Sequence, residues 1–305
     1  MNKRWRADAC LVLCGLLVWF LADAARVRAA AAAGLALCGR AVIPALFPFL
    51  AVSGILISLG FGQWAGPRLA GLMSLYRLPG AAGSALLLGL VGGYPIGART
   101  AAELYEKGLL TQGEAQRLLG FCNNSNPVFL ISVLGSGVFG STRVGIYLWL
   151  IHLLSALLTG FFFRRKEGAA SVRRRMTSTS PFQSAPLAAA FVEGVRNACG
   201  NMVAICGFII FFCVLSSPLS ALDSPLGTAL TGALELFSLT PRLAANRLSF
   251  ILASVCAAWG GTSILCQTAA VLEGSGLGMK TCLKGKIIQA LLAGALAAGI
   301  SAHLF

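Results

Sequence analysis

Polar residues interrupt the apolar stretches of this 305-residue chain at places where glycine and proline prevent a regular helix. In the first half the interruptions read GGYPIGART at 92–100 and CNNSNP at 122–127, and in the second half they lie near 232–240 and 259–267. In lipid, irregular backbone is tolerated only where it is buried in protein or lines a polar cavity. Breaks that recur in both halves of a chain therefore indicate a polar site near the bilayer midplane.

The break at 122–127 offers side-chain amides and a hydroxyl to a polar ligand. These groups belong to Asn123, Asn124, Ser125 and Asn126. A half-helix that starts after Pro127 directs its N–H groups to the same place, which suits an anion or a hydrogen-bonding solute. The alternative is that the side chains only satisfy backbone groups of the broken helix.

Glu235 lies in an apolar segment, where an ionised carboxylate is expensive. It can bind a proton or a cation, accept hydrogen bonds from a solute, or cap the backbone of the break. Thr262, Ser263 and Gln267 are the counterparts of the asparagine cluster, with the same two interpretations. Tyr94 can stack on a ring or pack beside its proline turn.

His152 lies in the middle of an apolar span, where it is either a proton relay or a hydrogen-bonded packing residue. Arg99 and Glu103 have the i, i+4 spacing of an ordinary helix ion pair. The sequence holds no Walker phosphate loop, no H-E-x-x-H and no G-x-S-x-G motif. We therefore predict that the protein is not an enzyme and has no cofactor, with coupling to a proton or to sodium left open.

The ten cysteines are scattered through apolar segments without a C-x-x-C pair. Cys199, Cys206 and Cys213 recur every seventh residue and share one helix face, but they lack the histidine partners of a metal site. We interpret the cysteines as small packing residues and expect no metal.

The composition is that of a membrane protein. Hydrophobic residues make up 57% and charged residues 11%, against about 25% charged residues in soluble domains. The net charge of +14 comes from basic residues at the edges of apolar runs, which fits lipid headgroups and the positive-inside rule. Membrane lipid is thus the expected partner, and nucleic acid is not.

Basic residues also indicate which ends face the cytoplasm. Three of them precede an apolar run at 9–22, and the loop at 164–186 carries the strongest basic cluster. Both the amino terminus and this loop are predicted to be cytoplasmic. We expect 9–22 to be an uncleaved first helix; a signal peptide cleaved near Ala22-Asp23-Ala24 is the alternative.

The apolar runs divide the chain into four parts. We predict a membrane helix and interfacial segment at 1–40, a first repeat at 41–163, a flexible linker at 164–186 and a second repeat at 187–305.

The two halves match in the spacing between a Ser-Gly pair, at 136–137 and 275–276, and the span that follows it. The first span has its basic cluster at its carboxyl end, whereas the second has Lys280, Lys284 and Lys286 at its amino end. Matched helices should therefore run in opposite directions. We predict an all-α polytopic membrane protein of two inverted-topology repeats with broken or re-entrant helices; chance similarity between Ala- and Gly-rich helices is the alternative.

The breaks resemble those of a known family. The matching elements are GYPIGA at 93–98, the Glu-rich helix after it, NSNPVF at 124–129, His152, GALE at 232–235, GGTS at 260–263 and Gln267. They are similar to the sporulation integral membrane proteins of the YlbJ type, which carry the nucleoside-recognition, or Gate, domain. The resemblance runs from about residue 40 to the end and implies Gate repeats in a bacterial cytoplasmic-membrane protein of spore formers. It does not supply a substrate.

Two function classes follow. The first is a secondary transporter or channel for a small polar solute, nucleoside-like by family analogy, with its cavity where the two broken pairs meet. The second is a non-transporting membrane scaffold that binds protein partners in spore-envelope assembly, or copies of itself. A carrier needs a wet cavity with Glu235 and the asparagines pointing into it, whereas a scaffold would pair these groups with one another.

Overall fold

The structure is a computed structural model that describes residues 3–165 and 186–305, and every regular element in those ranges is helical. Most of the predicted linker at 164–186 therefore lies outside the described residues. The first half contains the following helices: α1 (Lys3–Ala22), α2 (Ala24–Leu37), a π-helical segment (Cys38–Val42), α3 (Ile43–Ser58), α4 (Phe61–Leu75), α5 (Ala82–Gly92), α6 (Ile96–Glu106), α7 (Gln112–Leu118), a π-helix (Phe129–Val138) and α8 (Thr142–Phe162).

Like the first half, the second half has shorter helices between a long helix near its start and a long helix at its end. Its elements are α9 (Leu187–Ser216), a 3-10 turn (Ser217–Ala221), α10 (Pro225–Leu234), a second 3-10 turn (Phe237–Arg242), α11 (Arg247–Trp259), α12 (Thr262–Leu272) and α13 (Met279–Ser301).

Five helical segments of the described residues are long and apolar enough to cross a membrane. They are 24–58, 142–162, 187–219, 247–272 and 279–301. The first joins α2 to α3 through the π-helical segment, so 24–58 forms one continuous helix. Together they confirm the prediction of an all-α membrane protein.

The continuous helix 24–58, which includes α2 and α3, packs against α9 in the opposite direction through small residues. Gly54 lies against Gly194 near the start of α9, and further along, a Cβ on Gly34 would meet Cys213 near its end. Between these points the Cys38 thiol lies 3.9 Å from the carbonyl of Cys206. Glycine at such crossings lets two helix backbones approach closely.

Helices α8 and α13 are likewise antiparallel. At one end, the backbone of Gly120 lies against Phe163, just after α8, and against Gly285 near the start of α13. At the other end, the rings of Phe139, before α8, and Phe305, after α13, are 5.9 Å apart. Both pairs of long helices thus run in opposite directions.

Four interruptions lie between the short helices. They separate α5 from α6, α7 from the π-helix, α10 from the second 3-10 turn, and α11 from α12. Gly93 at the first of them, and Gly260 and Gly261 at the last, take positive φ values of 84°, 89° and 86°, which residues with side chains rarely adopt. The breaks predicted from Gly and Pro therefore occur where the sequence places them.

Candidate functional site

The loop 122–127 is held against the α5–α6 hairpin by two glycines. A Cβ on Gly89 or on Gly97 would overlap the carbonyl oxygen of Cys122. The Cys122 thiol in turn donates to the carbonyl of Gly97 at 3.4 Å. Two breaks of the first half are therefore packed backbone to backbone.

The three asparagines of this loop are buried and use their side chains on neighbouring groups. Asn123 donates to the Thr268 hydroxyl at 2.9 Å, and Asn124 donates to the carbonyl of Phe121 at 2.8 Å. Asn126 accepts from the N–H of Phe129 at 2.8 Å and so caps the start of the π-helix. These side chains therefore satisfy hydrogen-bonding groups of the protein itself, although Oδ1 of Asn123 has no hydrogen-bond partner within the described chain.

A buried polar cluster joins the breaks of the two halves. We define the central cluster as Tyr94, Asn124, His152, Lys286 and Gln289, none of which is more than 9% exposed. Lys286 donates to the Tyr94 hydroxyl at 3.0 Å and to Oε1 of Gln289 at 2.8 Å. Gln289 donates to Oδ1 of Asn124 at 2.9 Å. Helix α13 therefore connects both breaks of the first half.

Two residues extend the cluster to the end of α11. The Tyr94 hydroxyl donates to the carbonyl of Ala257 at 3.2 Å, and Lys286 donates to the carbonyl of Ala258 at 3.3 Å. Ser125 also reaches the Ala257 carbonyl, at 3.3 Å. A helix leaves its last carbonyls without intrahelical partners, and these side chains supply them.

His152 belongs to the central cluster, and its contacts assign its tautomer. Its Nε2 accepts from the N–H of Ser125 at 3.1 Å, which places the ring proton on Nδ1. Nδ1 is buried without a hydrogen-bond partner among the described residues. The ring is therefore a neutral acceptor in this state, and both interpretations of His152 stay open.

Glu235 follows the last residue of α10 and is fully buried. Its Oε2 accepts from the N–H of Ser238, which caps the 3-10 turn, while its Oε1 has no partner in the described part of the chain. The residue lines a small central cavity of about 30 Å³, which has room for about one water molecule. Tyr94, Ser125, Asn126 and Gln267 also line this cavity.

The second-half candidates divide into two groups. Gln267 lines the central cavity and donates to the Ser263 hydroxyl at 3.4 Å. Thr262 instead donates to the carbonyl of Ala233 at 3.1 Å, which Trp259 also contacts at 2.9 Å, and so joins the two breaks of its own half. Thr262 and Ser263 are not among the residues that line the cavity.

Sequence reasoning missed Lys286 and Gln289 as members of the site. Lys286 was interpreted as part of a basic membrane edge, and that was wrong because it is 1% exposed and points into the bundle. The available signal was a Lys and a Gln three residues apart inside an apolar span, which places both on one helix face. Lys284, by contrast, is exposed.

Two larger cavities lie beyond the central one. The polar cavity, of about 320 Å³, is lined by Arg99, Glu103, Lys107, Glu193, Asn197 and Asn201. The arginine cavity, of about 600 Å³, is lined by alanines of α2 and by Arg26, Arg40 and Arg242. Arg99 is paired with Glu103 at 3.1 Å, as the i, i+4 spacing predicted.

The cysteines are all free, and their thiols are packed or exposed without bridging one another. In the described ranges no group of three or more His, Cys, Asp or Glu side chains is placed to hold a metal ion.

Comparisons with known proteins agree with the resemblance read from the breaks. Residues 40–163 match the Gate family, described as nucleoside recognition. The chain is 31% identical over 229 residues to the sporulation integral membrane protein YlbJ of Bacillus subtilis (strain 168). The similarity covers 69% of this chain, so it extends into the second half, and 56% of the relative's length.

No solved structure matches the chain. The family assignment therefore rests on sequence, and the geometry of the breaks on the structure described above. The resemblance is confirmed: residues 40–163 carry a Gate domain, and this integral membrane protein belongs with the sporulation membrane proteins of the YlbJ type.

Proposed function

We propose that the protein is a secondary transporter or channel that moves a small polar solute across the bacterial cytoplasmic membrane. The observation that carries the proposal is the meeting of breaks from both halves at one buried polar cluster and one cavity. Carriers bind their solutes in this way, near the midplane and between discontinuous helices.

The cavities supply a path for such a solute. Along α9, Asn201 lines the polar cavity, Ile205 and Ile209 line the central cavity, and Cys213 lines the arginine cavity. Along the antiparallel α3, the order is reversed, with Leu50 lining the polar cavity and Leu46 the central one. At 1.5 Å per residue, Asn201 and Cys213 are about 18 Å apart along the helix. The three cavities thus form a series, closed at its centre.

The antiparallel pairings support an inverted repeat. Helix α3 pairs with α9 and α8 with α13 in opposite directions, as two halves of inverted topology require. With the basic loop at 164–186 in the cytoplasm, α9 starts on the cytoplasmic side. The polar cavity then opens toward the cytoplasm and the arginine cavity toward the outside. The same proposed orientation has the amino terminus in the cytoplasm.

The solute class follows from the lining and from the family. Ser125, Asn126 and Gln267 offer neutral hydrogen-bonding groups, and Tyr94 offers an aromatic side chain, all at the central cavity. These groups suit a nucleoside-like solute, which the description of the Gate family as nucleoside recognition favours. The similarity to a sporulation integral membrane protein supports a link of this proposed role to sporulation. No covalent chemistry is proposed.

A scaffold is the second candidate, because much of the polar cluster is satisfied internally. Asn124 pairs with Gln289 and Asn123 pairs with Thr268. Such self-pairing is what a protein that binds spore-assembly partners or copies of itself would show. Glu235 lines the cavity, and its Oε1 has no hydrogen-bond partner among the described residues, which favours the carrier.

Thermal unfolding of the detergent-purified protein tests the proposal. The panel contains nucleosides, nucleobases, amino acids and organic anions, because a ligand that binds the native state raises its stability. Glu235→Gln and Asn124→Ala should lose the response, while the exposed control Glu273→Gln should keep it. A panel without any response, or a response equal in all variants, contradicts a site at the breaks.

A further inference from the structure

Lys286 is a buried cation without a described acidic partner. It is 1% exposed, and it belongs to neither of the ion pairs Asp23–Arg26 and Arg99–Glu103. A charged side chain inside a membrane span is expensive and usually has a functional reason. The proposed solute path does not account for this charge, because Lys286 does not line the central cavity.

Backbone carbonyls fix the direction of each hydrogen bond around Lys286. Asn124 must use its amide nitrogen on the carbonyl of Phe121, so its oxygen accepts from Gln289. Gln289 then presents Oε1, an acceptor, to Lys286. This chain of contacts does not depend on an arbitrary choice of amide orientation.

The hydrogen-bond partners of Lys286 also determine how many protons its amino group carries. The Tyr94 hydroxyl donates its hydrogen bond to the carbonyl of Ala257. Its oxygen therefore accepts the hydrogen bond from Lys286. The carbonyl of Ala258 and Oε1 of Gln289 can only accept. Three acceptors require three N–H donors, and only the ammonium form has three. Lys286 is therefore charged in this state.

The three oxygens around the ammonium are those of a small cation site. They are a hydroxyl, a side-chain amide oxygen and a backbone carbonyl from the last turn of α11, at 2.8 to 3.3 Å from Nζ. The carboxyl end of a helix carries partial negative charge and favours cations. Unwound carbonyls and the carboxyl ends of half-helices hold the coupling cation in carriers with broken helices.

We propose that the Lys286 ammonium occupies the position of a coupling alkali cation. The protein therefore needs no bound sodium ion to connect its two halves. The coupling role of this position rests on the carrier function proposed above. The cation site itself does not, since its oxygens come from Tyr94 in the first half and Ala258 and Gln289 in the second.

The first test uses the wild-type protein without any solute. Thermal unfolding is followed in sodium, potassium and choline chloride at equal ionic strength. The proposal predicts the same midpoint in all three salts, because the cation position is filled. A saturable stabilisation by sodium over choline would overturn it.

The second test removes the ammonium. Lys286→Ala leaves the three oxygens without a cation and opens the space of three methylenes and a nitrogen. We expect a lower unfolding midpoint that sodium or propylammonium restores in part, with saturation, whereas choline does not. The matched control Lys284→Ala, at an exposed position of the same helix, should respond to none of them.

Lys286→Met separates the charge from the packing. It keeps an apolar stem in the space, so it should not respond to propylammonium. A Lys286→Ala protein that no small cation stabilises beyond Lys284→Ala would overturn the proposal, as would equal responses in both Lys286 variants. If Lys286→Ala folds only when purified in propylammonium, the proposal is supported. Because no solute is present, these results are independent of whether the protein transports.

Discussion

At the scale of single residues, Glu235 combines a structural and a functional position. One carboxylate oxygen accepts from the N–H of Ser238 and so fixes the turn after α10, while the other is unpaired among the described residues. Glu235 also lines the central cavity. The two roles are separable by substitution, since glutamine keeps an acceptor for Ser238 and alanine does not.

We therefore expect Glu235→Ala and Glu235→Gln to differ in stability. Alanine leaves the partly buried N–H of Ser238 without its acceptor, which costs about 1 to 3 kcal/mol. Glutamine retains that hydrogen bond and should change the stability much less. Thermal unfolding in detergent measures the difference, and equal losses in the two variants would contradict the capping role of Oε2.

At the scale of elements, glycine contacts set the distance between the broken segments. Gly97 on α6 and Gly89 on α5 both face the carbonyl of Cys122, where a side chain has no room. Because the obstructing atom belongs to the backbone of the 122–127 loop, no rotation of a side chain can relieve the overlap. The loop would have to move away from the hairpin, and the asparagines would move with it.

Gly97→Ala should consequently destabilise the protein by about 1 to 3 kcal/mol, the range for overpacking a close contact. Gly113→Ala is the matched control, because a Cβ at Gly113 on α7 meets no atom within 4 Å. Alanine there should be neutral or slightly stabilising, given its higher helix propensity. Unfolding midpoints of both variants measure the effect, and a neutral Gly97→Ala would show that the loop is not held in this way.

At the scale of the whole molecule, the two halves contribute different residues to the central cluster and the central cavity. Tyr94 and the loop 122–127 come from the first half, whereas Glu235, Lys286 and Gln289 come from the second. A movement of one half relative to the other would change the hydrogen bonds of Lys286 and the size of the central cavity together. This dependence is what alternating access between the polar and arginine cavities requires.

The proposed orientation is testable with short epitope insertions at two exposed turns. Gly108 and Gly140 both have positive φ and open space around a Cβ, so insertions there should be tolerated. The epitope at Gly140, on the turn before α8, should be labelled in intact cells. The epitope at Gly108, after α6, should be labelled only after permeabilisation. The reverse pattern would invert the orientation.

The sequence predicted the helical class, the breaks and the polar residues that line the central cavity, because Gly, Pro and Asn in apolar runs have strong local consequences. It did not predict the cluster around Lys286. Whether a lysine near a helix start faces headgroups or the bundle depends on the rotation of α13, which packing against α8 and Gly120 determines. Thr262 was grouped with the cavity residues, yet its contact with Ala233 arises from how two breaks pack.

The most direct test of the central claim is uptake of labelled nucleosides by proteoliposomes that contain the purified protein. The account predicts saturable uptake in the wild type and in Glu273→Gln, without a requirement for sodium, and its loss in Glu235→Gln. Binding in detergent without any uptake would contradict transport and favour the scaffold, and uptake that Glu235→Gln leaves unchanged would contradict a path through the central cavity.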